Sequence, residues 1–320
     1  MALFAQQTTS ASALRQASTA ASTPDAEAVD AVPPARIQLE AVNVQFTTRN
    51  GTTAALQNID LTVREGEFVC LVGPSGCGKS TLLSVIAGLQ KANSGSALMD
   101  GKPITGPGPE RAVIFQEAAL FPWLTAAQNV EFALKQRIRN KKERRAAAIE
   151  HLSMVHLARF ADSYPHELSG GMRQRVAIAR ALALNPDILL MDEPFAALDA
   201  QTRDLLLAEV QRIWQSTGKT ILFVTHNVME AVTLGDRVIC MGTRPGTIKQ
   251  EIAVTLPRPR AVEDPDTARL AQRIMTHLRD EINKIAQEES DHAATLIAPA
   301  RSGDTGDIPD PLANSMGDGI

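Results

Sequence analysis

Apolar and polar residues alternate through IQLEAVNVQF (37–46), the two-residue period of a strand buried on one face. AALQNIDLTV (54–63) reads as a second strand, with REGE (64–67) as the turn after it. From residue 68 the pattern changes. FVCLVG (68–73), ILLM in DILLMDEP (187–194), TILFVTH (220–226) and RVICM (237–241) are short and continuously apolar, as expected of strands covered on both faces. Helical patterns lie between them. TLLSVIAGL ends at Gly88, 126–160 is helical in pattern, and Met172–Leu184 follows. Asn185-Pro186 then breaks the chain, and LLLAEVQRIWQSTG (205–218) is an amphipathic helix closed by Gly218. Buried strands alternating with helices predict an α/β fold with a mostly parallel sheet. The stretch 117–180 has no strand pattern and predicts a helical subdomain inserted between strands. After PRPR (257–260), Leu270, Ile274, Leu278, Ile282 and Ile285 fit one face of a single helix.

These patterns divide the chain into a tail (1–35), an α/β domain (36–256), an extension with one helix (257–290) and a second tail (291–320). The first tail is rich in Ala, Ser and Thr and the second in Gly, Asp, Pro and Ala; both predict disorder. Asp25, Glu27 and Asp30 argue against a transit peptide, and MALFAQQTTS lacks the charged flank of a secretory signal. The net charge of −4 gives no global basic field, so nucleic acid is not expected as a partner. The run KQRIRNKKERR (135–145), with seven Lys or Arg, reads as a solvated face near anionic headgroups or a simple charged helix, with nucleic-acid binding the weaker alternative. Cys70, Cys77 and Cys240 are odd in number and scattered, neither a disulfide framework nor a zinc pattern, and suit a reducing compartment. No apolar run reaches the roughly 18 residues of a membrane span.

Candidate chemistry begins where the first buried strand ends. GPSGCGKS (73–80) fits the phosphate-binding pattern G-x-x-x-x-G-K-[ST] between a strand and a helix. Backbone N–H groups from Gly73, Pro74-flanked Ser75, Gly76, Cys77 and Gly78 through Thr81 would surround phosphate oxygens at a helix N-terminus. Lys79 would reach the β- and γ-phosphates of a nucleotide, and Ser80 would ligate Mg²⁺. Asp192 follows four apolar residues, so it should emerge at the carboxyl end of its strand, where open α/β sheets bind ligands. Glu193 beside it suggests a division of labour: one carboxylate on the metal, the other as general base for water. The alternative for Glu193 is an acid favoured at a helix start.

A second helix start, LSGGMRQR (168–175), carries a hydroxyl and two glycines with no Cβ to block an anion. With it, the chain resembles the ABC transporter ATPases over roughly 37–256. The markers stand in family order: GPSGCGKS as Walker A, Gln116 in VIFQE as the Q-loop, Leu168, Ser169, Gly170, Gly171 and Met172 as the signature, ILLMDEP as Walker B, AALD ending at Asp199 as the D-loop, and His226 in VTHN as the switch His. The resemblance implies a P-loop NTPase core with an N-terminal antiparallel β subdomain, ATP and Mg²⁺ as cofactors, and a head-to-tail dimer in which each signature closes over the partner's ATP. It further implies that Gln116 senses the metal and water, that His226 donates to the γ-phosphate and that Asp199 supports the dimer seam, where a plain helix cap is the alternative. Phe46 occupies about the place of an adenine-stacking aromatic, although its alternation with Val42 and Val44 also fits core.

GPGPERAVIFQ, FPWLT and TRPGTIKQEIAVTLPRPR resemble the nitrate, sulfonate and taurine importer ATPases. That implies separate permease subunits and, indirectly, a solute-binding protein, at the cytoplasmic face of a bacterial membrane. In this reading EAALFPWLT (117–125) is either internal packing or the groove that receives a permease helix. The contrasting reading is a non-transport ABC ATPase acting as a mechanical or regulatory module.

Overall fold

The two kinds of strand pattern build two sheets. The computed structural model describes residues 33–49, 51–196, 198–243, 245–279 and 283. The half-buried strands β1 (Ala35–Thr48) and β2 (Gly51–Arg64) pair antiparallel. With β4 (Ser94–Met99) and β5 (Lys102–Pro103) they form, among the described residues, a sheet in the order β2-β1-β4-β5. The alternation in β1 slips once. Ala41 sits at φ 47 and the register shifts between Leu39 and Val42, which keeps Leu39, Val42 and Val44 all buried.

The continuous apolar runs make the second sheet. β3 (Phe68–Val72), β7 (Ile188–Asp192), β8 (Thr220–Thr225) and β9 (Arg237–Gly242) join β6 (Arg111–Ile114) and β10 (Thr247–Ala253) in the order β10-β9-β3-β8-β7-β6. All adjacent pairs are parallel except β10 with β9. Side-chain alternation then splits the core. Phe68, Cys70 and Val72 face a layer with the helices, while Val69 and Leu71 face the layer shared with β1, β2 and α1 (Lys79–Ala87).

The inserted region lies between β6 and the adjacent β7. It is not one helical run over 126–160 but α2 (Ala126–Leu134), α3 (Lys141–Met154) and a short turn at Ala158–Phe160, followed by α4 (Gly170–Ala183). The break has a local cause: Asn140 caps α3 by accepting from the N–H groups of Lys142 and Glu143. Buried Asn129 folds the segment before α2, donating to the carbonyls of Phe121, Leu124 and Thr125 and accepting from the N–H of Phe121. Within the basic run, Arg145 pairs with Glu131 and Asp162, and Arg137 donates to the Leu184 carbonyl, so part of that charge has structural work.

Four strands escaped the pattern reading. β4 has a single buried position, Met99. β6 has four residues, and β5 and β10 lie at sheet edges with mostly exposed polar positions. α5 (Ala200–Thr217) starts earlier than the apolar pattern showed, and α6 (Val228–Leu234) is a further short helix. Residues 265–279 are helical, and Ala271, Ile274 and Leu278 enter the core; Ile282 and Ile285 lie outside the described residues, as do residues 1–32 and 284–320. The PRPR segment that leads into this helix is itself anchored to the domain. Arg258 pairs with Asp236 and stacks on Trp214. Buried Arg260 donates to the carbonyls of Val232, Gly235, Val254 and Leu256, and desolvation lowers its pKa to about 10.

Candidate active site

The carboxyl ends of β3, β7 and β8 are neighbours, and each delivers chemistry to the same edge. The loop after β3 turns through Gly76 at φ 78 and Gly78 at φ 93 before α1 begins. Gly78 is required twice over: a Cβ there would lie 2.7 Å from Leu56 Cδ2 and 2.8 Å from the Ala55 carbonyl oxygen. A Cβ on Gly73 would lie 2.7 Å from Cys77 Sγ and 2.8 Å from the Met241 carbonyl oxygen. No side chain caps α1, so the positive helix end is open to an anion.

Lys79 is 5% exposed, and its Nζ donates to the carbonyls of Gly73 (2.8 Å) and Pro74 (3.0 Å). The loop is therefore wrapped around its own ammonium. Ser75 and Gly76 stand exposed at the rim, Cys77 is buried beneath, and Ser80 and Thr81 open the first turn of α1. Ser80 Oγ donates to Asp192 Oδ1 at 3.0 Å across 112 residues of sequence. A hydroxyl and a carboxylate are hard oxygen donors of the kind Mg²⁺ takes, with its remaining positions supplied by water and phosphate. Burial raises the Asp192 pKa against the opposing bond from Ser80, and the neighbouring Glu193 charge adds to the rise. A cation at this carboxylate would relieve that cost.

Glu193 sits just past the last β7–β8 pair, with its N–H on the Val224 carbonyl and φ at 44. A non-glycine residue held there stores strain of about 1–3 kcal/mol. No helix begins at Glu193: residues 194–196 form a turn and α5 starts at Ala200, which removes the helix-start alternative. Its side chain faces inward instead. Oε2 lies 2.9 Å from His226 Nδ1 and Oε1 lies 3.9 Å from Lys79 Nζ. A carboxylate only accepts, so Nδ1 carries the proton in this contact. Lys79, Ser80, Asp192, Glu193 and His226 thus form one cluster.

Other predicted residues stand apart from that cluster. Gln116, two residues beyond β6, is exposed and lines a cavity with Gly170, Arg173, Gln174, Pro194 and Leu198. It shares no hydrogen bond with Ser80 or Asp192 among the described residues. Phe46 is 42% exposed while Val42 and Val44 are fully buried, so it is not a core residue. It pairs with Thr53, close along β2 to the Ala55–Leu56 stretch that touches Gly78.

Ser169 caps α4 by accepting from the N–H of Met172. Leu168 is buried beneath the cap and Met172 packs on the core, while Ser169 and Gly170 are exposed. The signature shares no hydrogen bond with the P-loop of its own chain among the described residues. Asp199 caps α5 by accepting from the N–H of Thr202, which lowers its pKa. Capping and a seam role are compatible, because the residue is exposed.

Sequence reading missed Gly246, whose N–H donates to Ala55 and whose carbonyl accepts from Gln57. A Cβ there would lie 2.3 Å from the Cys77 carbonyl oxygen, so this turn abuts the back of the P-loop. Its position inside TRPGT was the available signal.

A groove of about 410 Å³ runs beside the inserted helices, lined by residues including Phe115, Phe121, Phe132, Gln136, Arg180 and Leu184. Phe121 packs on Phe132 (4.7 Å between centroids) and Trp123 (5.5 Å), with the Arg180 guanidinium over its ring. Trp123 is 70% exposed. The FPWLT segment therefore packs internally at Phe121 and also presents apolar surface outward. Among the described residues, no helix is long and apolar enough to cross a membrane.

The sequence profile of the family described as ABC transporter matches residues 56–196. The chain is 49% identical over 221 residues to the nitrate import ATP-binding protein NrtD of Synechocystis sp., covering 69% of this chain and 83% of that protein. It is 44% identical over 250 residues to the bicarbonate transport ATP-binding protein CmpD of the same organism, covering 76% and 88%. Among solved structures, a dimeric ATP-binding cassette in a post-hydrolysis state bound to ADP and Pi superposes with a TM-score of 0.62 at 36% identity, covering 69% of this chain and all of that one.

Proposed function

The chain belongs to the ABC transporter family as an ATP-hydrolysing importer subunit, and from that premise we propose that it powers uptake of a small oxyanion through separate permease subunits. Cargo of the nitrate, sulfonate, taurine or bicarbonate type is supported by the subfamily resemblance of the TRPGT and LPRPR segments and by the names of the relatives. The observation that carries the chemistry is the cluster of Lys79, Glu193 and His226 at one sheet edge.

Lys79 leaves the Gly73 and Pro74 carbonyls for the β- and γ-phosphates as ATP enters the loop, and open N–H groups of α1 take further phosphate oxygens. Ser80 and Asp192, with Gln116, would hold Mg²⁺, which would neutralise phosphate charge. Glu193 accepts a proton from the attacking water, a role worth about 10²–10⁴-fold in rate. His226, oriented through Nδ1 by Glu193, presents its other nitrogen to the γ-phosphate. Phe46 stacks on the adenine. Ser169, Gly170 and Gly171 of a second copy close the site from the opposite side, with Asp199 at the seam. In this reading a permease helix docks in the groove around Phe121 and Phe132, with the protein peripheral at the inner face of a bacterial membrane; the apolar lining of that groove supports it.

The test is uptake of labelled nitrate, bicarbonate, taurine and alkanesulfonates in the native host, with wild type replaced by Lys79→Ala. Loss of one anion's uptake alone identifies the cargo. Unchanged uptake of all of them, with the variant expressed and unable to bind ATP, sinks the oxyanion reading.

A further inference from the structure

Two loops of the site meet through a pair of residues that lie outside it. Glu230, in the first turn of α6, is 5% exposed. Its Oε2 accepts from Thr225 Oγ1 at 2.6 Å, and the same hydroxyl accepts from the Asn227 N–H at 3.0 Å. The residues on both sides of His226 are thereby fixed to one buried carboxylate. Its other oxygen, Oε1, lies 3.5 Å from Arg203 Nε. Arg203 is in the first turn of α5, where its N–H donates to the Asp199 carbonyl and its Nη2 donates to the Leu198 carbonyl at 2.9 Å. One guanidinium therefore spans the segment ending in Asp199 and the segment carrying His226.

We propose that Arg203 and Glu230 are positioning residues for hydrolysis, forming a strut that moves the Asp199 loop and the His226 loop as one unit. The proposal rests on the ATPase reading and extends it. Whatever displaces Asp199, including a second copy of the chain, pulls on Leu198, and Arg203 and Glu230 transmit that pull to Thr225 and Asn227. His226 then shifts relative to Glu193, the residue it already touches. The contact is an ion pair without a hydrogen bond. Burial of Glu230 holds it together, because separating it from Arg203 leaves the carboxylate without that counter-charge away from water, with only the bond from Thr225. Misplacing a reacting group by about 1 Å costs on the order of 100-fold in rate, so a small slip of this strut is enough to matter.

The test compares full-length wild type, Glu230→Gln, Arg203→Lys and the neutral double variant Glu230→Gln/Arg203→Met, measuring kcat and KM for MgATP and the melting temperature. Each single variant should lose about 10- to 100-fold in kcat. KM should stay within about 2-fold, the signature of an interaction needed in the transition state and not for ground-state binding. The double variant should be no slower than the worse single, because both changes break one link. Arg203→Lys keeps the charge at a partly exposed site and loses only the fork, so it remains informative if Glu230→Gln folds poorly. A kcat for Arg203→Lys within about 2-fold of wild type, losses that multiply in the double variant, or a parallel rise in KM would overturn the strut. Absence of turnover from wild type and variants alike would count against hydrolysis itself, so the two failures are distinguishable.

Discussion

The chain carries two glycine-marked helix starts, and they differ in what holds them. The P-loop start is explained from within. Gly78 sits at positive φ against Ala55 and Leu56, Lys79 is enclosed by its own loop, and Asp192 and Glu193 complete the cluster. The signature start is explained only in part: Ser169 caps it and a Cβ on Gly171 would lie 2.3 Å from Thr202 Cγ2, but Gly170 is unaccounted for. Gly170 has an ordinary φ, and the nearest atom to a Cβ there is Leu198 Cδ2 at 3.8 Å. Glycine within a helix costs roughly 0.5–1 kcal/mol relative to alanine, and nothing in the chain offsets that at Gly170. A residue that the fold does not require, exposed at a positive helix end, is what a site completed by another molecule looks like.

Three substitutions test this contrast. Gly78→Ala should do the most damage, lowering stability by about 2–4 kcal/mol through left-handed strain and contact with the Ala55 backbone, and abolishing ATP binding. Thermal unfolding and nucleotide titration read both effects; a stable, ATP-binding Gly78→Ala would break the idea that this start is fixed from within. Gly170→Ala should separate the two properties. Nucleotide-free stability should hold or rise by about 0.5–1 kcal/mol, while hydrolysis falls steeply. Full hydrolysis in Gly170→Ala would remove the case for an external partner at this end. The smallest effect is expected from Asp192→Asn. A carboxylate whose pKa is raised in the fold holds its proton longer than in the unfolded chain, so its contribution to stability is present at low pH and is lost as pH rises through the folded value. Near neutrality Asp192→Asn should therefore stabilise the nucleotide-free protein slightly and weaken Mg²⁺-dependent ATP binding. Loss of stability in that variant would show that the bond from Ser80 outweighs burial.

Much of this was legible in the chain because it is local. Continuous apolar runs marked β3, β7, β8 and β9, and Gly-rich spacing marked the P-loop and signature. β4, β5, β6 and β10 were not legible, since strands that are short, at an edge or mostly exposed carry too few buried positions to show a period. Asn129 and Arg260 look like ordinary polar residues in sequence. Their burial is bearable only because loops and helix ends turn carbonyls toward them, which no spacing rule encodes. Gly246 and the Arg203–Glu230 pair belong to the same class.

By itself the sequence determined the layers and the phosphate chemistry, since side-chain periodicity and loop glycines act among neighbours along the chain. The tertiary structure alone decided that Glu193 turns toward His226 rather than starting a helix, that Phe46 lies exposed, and that Ser80 meets Asp192. Those outcomes depend on which strands end side by side. The order β3-β8-β7 is set by how the whole core packs, across separations that local patterning does not reach.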